Sequence, residues 1–198
     1  DYETLKYFKS LGFNRISFGS QSDNKKELEF LGRLHTREQT ASAVEYAKAL
    51  GFIVNLDCIF GTTVEYGLKG FEGLCKLAVD NNVEHISCYA LSLEPGSIFY
   101  QMMKSGKHRY PDQDLQGDLY RRISEKLVAI GYEHYEVSNY ARRGFRCDHN
   151  YGIWQGEDYL ALGPSAWGGL FVGSEKGRTC FRRQNIPNLE KWLANKAP

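Results

Sequence analysis

NRISFGSQSDNKKELEFLGRLH, residues 14–35, is the stretch on which the fold turns. Arg15-Ile16-Ser17-Phe18-Gly19 is short, apolar and β-prone, and it reads as a buried strand. The polar segment Ser20-Gln21-Ser22-Asp23-Asn24 breaks that pattern and opens a short helix over Lys25–Leu31. Polar side chains gathered just past a strand's carboxyl end are where parallel βα folds bind ligands. The plainer reading of the same residues is a capped βα loop.

The units on either side repeat this cadence. Leu5, Phe8 and Leu11 fall at helical spacing over residues 2–11, and Gly12 ends that helix. Thr36 and Gln39 form a capping box for a helix whose face carries Ala43, Val44, Ala47 and Leu50, stopped by Gly51. Phe52–Gly61 is a second strand. Tyr66–Val79 is a helix weakened by Gly67, Gly70 and Gly73, and His85–Leu93 is a third strand. Helix, strand, helix, strand, helix, strand implies parallel βα units. Three strands are too few for a closed eight-stranded barrel of about 250 residues.

Beyond the turn at Glu94-Pro95-Gly96-Ser97 a polar connection runs to Pro111. Leu115, Leu119, Ile123, Leu127 and Ile130 then form one helical stripe. Tyr132–Tyr140 is aromatic and strand-like, and residues 142–158 read as irregular loop. Tyr159–Phe171 and Arg178–Arg183 read as antiparallel strands, and Asn188–Asn195 as a closing helix. A soft boundary near Tyr110 separates residues 1–110, the barrel units, from residues 111–198, an accessory region.

Composition narrows the function. With 42% hydrophobic and 25% charged residues the chain has an ordinary globular balance. A net charge of +1 argues against nucleic acid as a partner. No apolar run reaches the length of a transmembrane segment, and the polar opening Asp1-Tyr2-Glu3 does not read as a signal peptide. The five cysteines, Cys58, Cys75, Cys88, Cys147 and Cys180, lie far apart and read as reduced thiols, which suits a cytoplasmic protein. Their spacing does not suit an iron–sulfur cluster.

Asn14-Arg15-Ile16-Ser17, Gly19, Gln21-Ser22, Leu31, Arg33 and His35 stand at fixed spacings. So do Asn55-Leu56-Asp57-Cys58-Ile59-Phe60-Gly61 and Leu93-Glu94-Pro95-Gly96-Ser97. In these motifs the chain resembles the radical S-adenosylmethionine (radical SAM) family of oxygen-independent coproporphyrinogen III oxidases and HemW-type heme chaperones. The resemblance extends from Asp1 to Trp192. It implies an α/β fold: the last three βα units of a partial radical SAM (β/α) barrel, followed by a small α+β accessory region. It implies that Gln21, Arg33 and Asp57 contact S-adenosylmethionine, with Ile59 and Ser92 lining the same site. A guanidinium can grip the ligand's carboxylate, and a carboxylate suits its ammonium and sulfonium. The family's [4Fe–4S] cluster loop has no counterpart in these 198 residues. The expectation is therefore a fragment whose cluster ligands lie elsewhere in a full-length protein, with no catalytic residue in this chain.

Cys147-Asp148-His149-Asn150-Tyr151-Gly152-Ile153-Trp154 resembles the heme-chaperone branch, which implies His149 as a heme contact and heme or porphyrin, with heme-receiving proteins, as partners. Three departures stand out: Ile153 replaces a tyrosine, Trp167 stands where many members carry histidine, and Thr62–Tyr66 replaces a Pro- and Gly-containing loop. Trp167 is expected to fill core. Three readings follow: a heme-trafficking chaperone, a radical SAM oxidase acting on coproporphyrinogen III, or a cofactor-free accessory protein.

Overall fold

Period-two alternation in three strands arranges the first part of the chain. In the computed structural model, which describes residues 1–174 and 177–194, those strands are β1 (Arg15–Gln21), β2 (Ile53–Phe60) and β3 (His85–Ala90). They pair in parallel, with Ile16 opposite Val54, Leu56 opposite Ile86 and Cys58 opposite Cys88. These residues and Phe60 form the face of the sheet that packs into the apolar core. The helices α3 (Arg37–Ala49), α4 (Lys69–Asp80) and α6 (Gln113–Ala129) complete that core with Val44, Ala47, Phe71, Leu74, Ala78, Leu119, Ile123 and Leu127. Each large side chain buried this way contributes roughly 1.5–3 kcal/mol.

The helices begin and end for local reasons. Asp1 caps α1 (Tyr2–Ser10) by accepting from the Thr4 N–H. Asn24 caps α2 (Lys25–Phe30) by accepting from the N–H groups of Lys26 and Glu27. Thr36 and Gln39 form the reciprocal capping box expected for α3. Ser97 caps α5 (Ile98–Lys104), a helix inside what reads as a polar connection; its seven residues carry no buried position that would mark it in sequence.

The strand-like run after α6 is two short strands, β4 (Glu133–His134) and β5 (Asn139–Ala141). β5 pairs antiparallel with β3 and with β4, giving the sheet order β1-β2-β3-β5-β4. Tyr132 is buried at the start of this hairpin and donates its hydroxyl to the Val83 carbonyl at 2.7 Å. The chain forms two compact units, residues 1–146 and 147–198. Composition changes near Tyr110, but β4 and β5 belong to the sheet of the first unit, so the compact division comes after Arg146.

The second unit contains α7 (Asp148–Gln155), the antiparallel pair β6 (Trp167–Ser174) and β7 (Gly177–Gln184), and α8 (Leu189–Ala194). α7 lies in what reads as irregular loop, because Gly152 interrupts its pattern. The Glu157 side chain lies over that glycine, its Oε2 2.3 Å from where a Cβ would stand. Regular strand begins at Trp167, not Tyr159, with a single bridge between Tyr159 and Gly169 before it. Trp167 does not fill core. It is 49% exposed, with the Arg182 guanidinium 5.4 Å from its ring. Asn195, the expected end of the closing helix, lies outside the described residues.

Two glycines of α4 are steric requirements. A Cβ on Gly70 would lie 1.8 Å from Ser22 Oγ and 2.5 Å from Glu27 Oε2, and one on Gly73 would lie 1.8 Å from Asp23 Oδ2. The Gly70 carbonyl also accepts from the Asp23 N–H at 3.0 Å. Gly117 on α6 has open space around it. Gly117→Ala should therefore raise stability by about 0.5–1 kcal/mol through helix propensity. Gly70→Ala should lower it by about 1–3 kcal/mol through overpacking. Urea denaturation midpoints check this; two shifts of the same sign would refute the steric account of α4.

Candidate functional site

The face of the sheet opposite the core is polar. Ser17 pairs in register with Asn55, Asn55 with His85, Asp57 with Ser87, and Ile59 with Tyr89. These side chains form successive rows running toward the carboxyl ends of the strands. Asn55, His85 and Ser87 are buried, Asp57 and Ile59 are half-buried, and Tyr89 is 42% exposed. The rows open toward solvent at the end where parallel βα folds carry their sites.

Hydrogen bonds join the rows. Asp57 accepts from Ser17 Oγ through Oδ2 at 2.8 Å and from Asn55 Nδ2 through Oδ1 at 2.7 Å. Asn55 Nδ2 also donates to Ser17 Oγ at 2.7 Å. On its other side the Asn55 amide oxygen lies 2.6 Å from His85 Nδ1 and accepts from Ser87 Oγ at 3.2 Å. His85 Nε2 lies 2.8 Å from the Tyr135 hydroxyl, in the turn between β4 and β5. Burial, with the Arg15 charge as a smaller cause, pulls the His85 imidazole down to about 4. The ring is therefore neutral at neutral pH.

Gln21 ends β1. The strand bulges between Phe18 and Gln21, and Gln21 takes a left-handed backbone, φ +59°. Such a conformation costs a non-glycine residue of order 1 kcal/mol or more and is frequent at functional sites. Its side chain folds back over Gly19, where a Cβ would lie 2.9 Å from Gln21 Nε2. The Gln21 amide oxygen is buried without a hydrogen-bond partner. Beside it, Ser20 donates to the Asp57 carbonyl at 2.8 Å, tying the end of β1 to β2.

The loop that follows is clamped by a buried carboxylate. Glu27 on α2 accepts from Ser22 Oγ at 2.6 Å and from the Thr62 hydroxyl. Burial pushes its carboxyl above the ordinary value of 4.5, against the two hydroxyl donors. Asp23 pairs with Arg37 at 3.1 Å. Thr62 belongs to the departing segment after β2, so that segment is bonded back to the loop after β1.

The six residues expected at ligands are distributed as follows. Asp57 and Ile59 share the polar face of β2, and Gln21 pairs in register with Cys58 at the same end of the sheet. Ser92 is exposed, two residues past the end of β3. Arg33 is exposed between α2 and α3 and lines a recess of about 400 Å³ with Asp23, Glu29, His35 and Arg37. That recess includes none of Gln21, Asp57, Ile59 or Ser92. In the second unit His149 is exposed on the first turn of α7, with Ile153 and Trp154 exposed one turn later, 37% and 58%. Ser17 and Asn55 stand in the matched motifs without a role assigned there, and His85, Ser87 and Tyr135 lie outside them; the alternation in NLDCIF and HISCYA signals Asn55, His85 and Ser87.

The cysteines do not fit a cluster. Cys58, Cys75 and Cys88 are buried in apolar core. Burial pushes the Cys75 thiol up to about 12, while Cys88 and burial raise Cys58 well above its usual value. Among the described residues no group of three or more His, Cys, Asp or Glu side chains is placed to hold a metal ion. Among the described residues no helix is long and apolar enough to cross a membrane.

No protein-family model matches the chain. Heme chaperone HemW of Bacillus subtilis is 35% identical over 175 residues, covering 88% of this chain and 45% of the relative. Heme chaperone HemW of Synechocystis is 36% identical over 200 residues, covering the whole chain and 48% of the relative. The chain thus spans about half the length of the curated relatives it matches. Among solved structures, coproporphyrinogen III oxidase (HemN) from Escherichia coli, described as a radical SAM enzyme, superposes with a TM-score of 0.72 at 20% identity. The likeness covers 99% of this chain and 46% of that one, and it shows the fold: an α/β arrangement shared with part of a radical SAM enzyme.

The Glu27 clamp has a pH signature. A carboxyl whose pKa is raised by folding contributes stability that is full below its unfolded value and is lost as pH rises. Glu27→Gln keeps one donor and one acceptor for the two hydroxyls and removes the titration. The stability of Glu27→Gln relative to wild type should therefore increase as pH is raised from 4 to 7. Denaturation at several pH values measures it, and a difference constant across that range would contradict the assignment.

Proposed function

We propose that this chain, a relative of the HemW heme chaperones, is part of a protein that binds heme and passes it to heme-receiving proteins. The observation that carries the reading is a match to a heme chaperone, 36% identical, that covers the whole chain and so takes in Cys147–Trp154. Within that segment His149 offers an accessible imidazole beside apolar helix surface. That combination suits axial ligation of iron at the edge of a flat apolar group. Its free cysteines suit a reducing compartment, and we place the protein in the cytoplasm.

S-adenosylmethionine fits the polar end of the sheet. The buried, unpartnered amide oxygen of Gln21 lacks a donor that a ligand would supply. In this proposal Gln21 and Asp57 accept hydrogen bonds from the ligand, Ile59 and Ser92 line it, and Arg33 meets its carboxylate. Bound to a reduced [4Fe–4S] cluster, S-adenosylmethionine supplies one-electron chemistry; the cluster's ligands would come from residues other than this chain's buried cysteines. The role of the residues present is to bind and orient.

Two measurements test the reading. Asp57→Ala should weaken S-adenosylmethionine binding to the complete protein by roughly tenfold to a hundredfold, the loss of a charged hydrogen bond. Asp112→Ala removes only the N-cap of α6 and should leave that affinity unchanged. Equal affinities in calorimetry would count against the site. For heme, His149→Ala should shift the Soret band and lower affinity, because an axial ligand sets the iron's electronic properties. The control is His134, which stacks on Tyr140 at 4.3 Å in the first unit. His134→Ala should leave the Soret band where it is. If His149→Ala keeps the wild-type spectrum and affinity, the ligation proposal fails.

A further inference from the structure

Asn55 stands between groups with opposite demands. A carboxylate only accepts, so the amide nitrogen must face Asp57, where it lies 2.7 Å from Oδ1. The amide oxygen then faces β3, within 2.6 Å of His85 Nδ1. An oxygen cannot donate, so Nδ1 carries the hydrogen. A neutral imidazole has one ring hydrogen, which leaves Nε2 an acceptor, and the Tyr135 hydroxyl 2.8 Å away is its donor. The other contacts of Asn55 are hydroxyls, Ser17 Oγ at 2.7 Å and Ser87 Oγ at 3.2 Å. A hydroxyl rotates to donate or accept, so neither fixes which way the amide points. His85 does. An Asn55 amide turned over would set its oxygen against the Asp57 carboxylate, acceptor against acceptor.

We infer that His85 is a positioning residue for Asp57: its Nδ1–H locks the Asn55 amide, and the locked amide holds the Asp57 carboxylate in place at the polar end of the sheet. The hydrogen bonds run in one direction, from Tyr135 to His85 to Asn55 to Asp57. The turn between β4 and β5, remote in sequence, thereby bears on the ligand end of β2. The inference rests on the proposal that Asp57 contacts S-adenosylmethionine.

The test uses the complete protein. Nitrogen-15 NMR of the histidine rings reads the tautomer directly and needs no variant beyond the one that assigns the signal. The expected state is Nδ1–H with unprotonated Nε2; an Nε2–H ring overturns the inference. Binding of S-adenosylmethionine is then measured in three variants. His85→Asn places an amide N–H near the position of Nδ1 and should bind within about threefold of wild type. His85→Gln reaches the position of Nε2 instead and should bind about tenfold more weakly. In an Asp57→Ala background His85→Gln should cost nothing further, because the two residues act as one unit. Wild-type affinity in His85→Gln, while Asp57→Ala still binds weakly, overturns the positioning role and leaves the ligand site standing. Wild-type affinity in Asp57→Ala overturns both.

Discussion

Alternation along β2 is the constraint on which the first unit depends. Val54, Leu56, Cys58 and Phe60 go into the core, while Asn55, Asp57 and Ile59 lie on the opposite face. A slip of one residue would exchange the faces. It would expose four apolar side chains at roughly 1.5–3 kcal/mol each for the large ones. It would also press an amide and a carboxylate against helices that offer no partners, at a cost of several kcal/mol. Side-chain chemistry therefore fixes the register of the three parallel strands, and the backbone bonds follow. The same choice that builds the core sets Asp57 on the open face.

A second constraint acts at the loop after β1. Ser22, Asp23 and Glu27 press against α4 so closely that only glycine fits at positions 70 and 73. Helix propensity is sacrificed at two positions, about 1 kcal/mol each, for a tight joint between loop and helix. Glu27 takes the hydroxyls of Ser22 and Thr62, bridging the segments that follow β1 and β2. Thr62 supplies the side-chain donor that ties the start of the segment after β2 to α2.

Long periodic elements were legible in the sequence, and so was the parallel cadence, because amphipathic spacing and caps are local signals. The capping box at Thr36 and Gln39 is a clear case. α5 and α7 escape that reading because each is short, and α7 carries a glycine within it. Trp167 misleads because its type suggests burial, whereas its place on a two-stranded pair leaves it half exposed with Arg182 over its ring. In the site, Asp57 stood out as a carboxylate in an apolar strand. His85 did not, because its partners come from β2 and from the turn after β4, and no spacing rule connects residues 55, 85 and 135.

The donors around Asp57 have a consequence for what it can bind. Its two recorded partners, Ser17 and Asn55, are neutral. Neutral donors fix a carboxylate in space without cancelling its charge, whereas an arginine partner would do both. The Asp57 carboxylate lies on a half-buried face, where an ion pair is worth more than in open water. A ligand carrying positive charge gains from that field, and one carrying only carboxylates meets repulsion. Under the proposed reading, S-adenosylmethionine brings an ammonium and a sulfonium to this end of the sheet. Its own carboxylate must then be met elsewhere. Arg33, exposed beside α2 in a different recess from Asp57, would have to reach toward Asp57 to meet it, because the ligand's carboxylate and ammonium share one carbon.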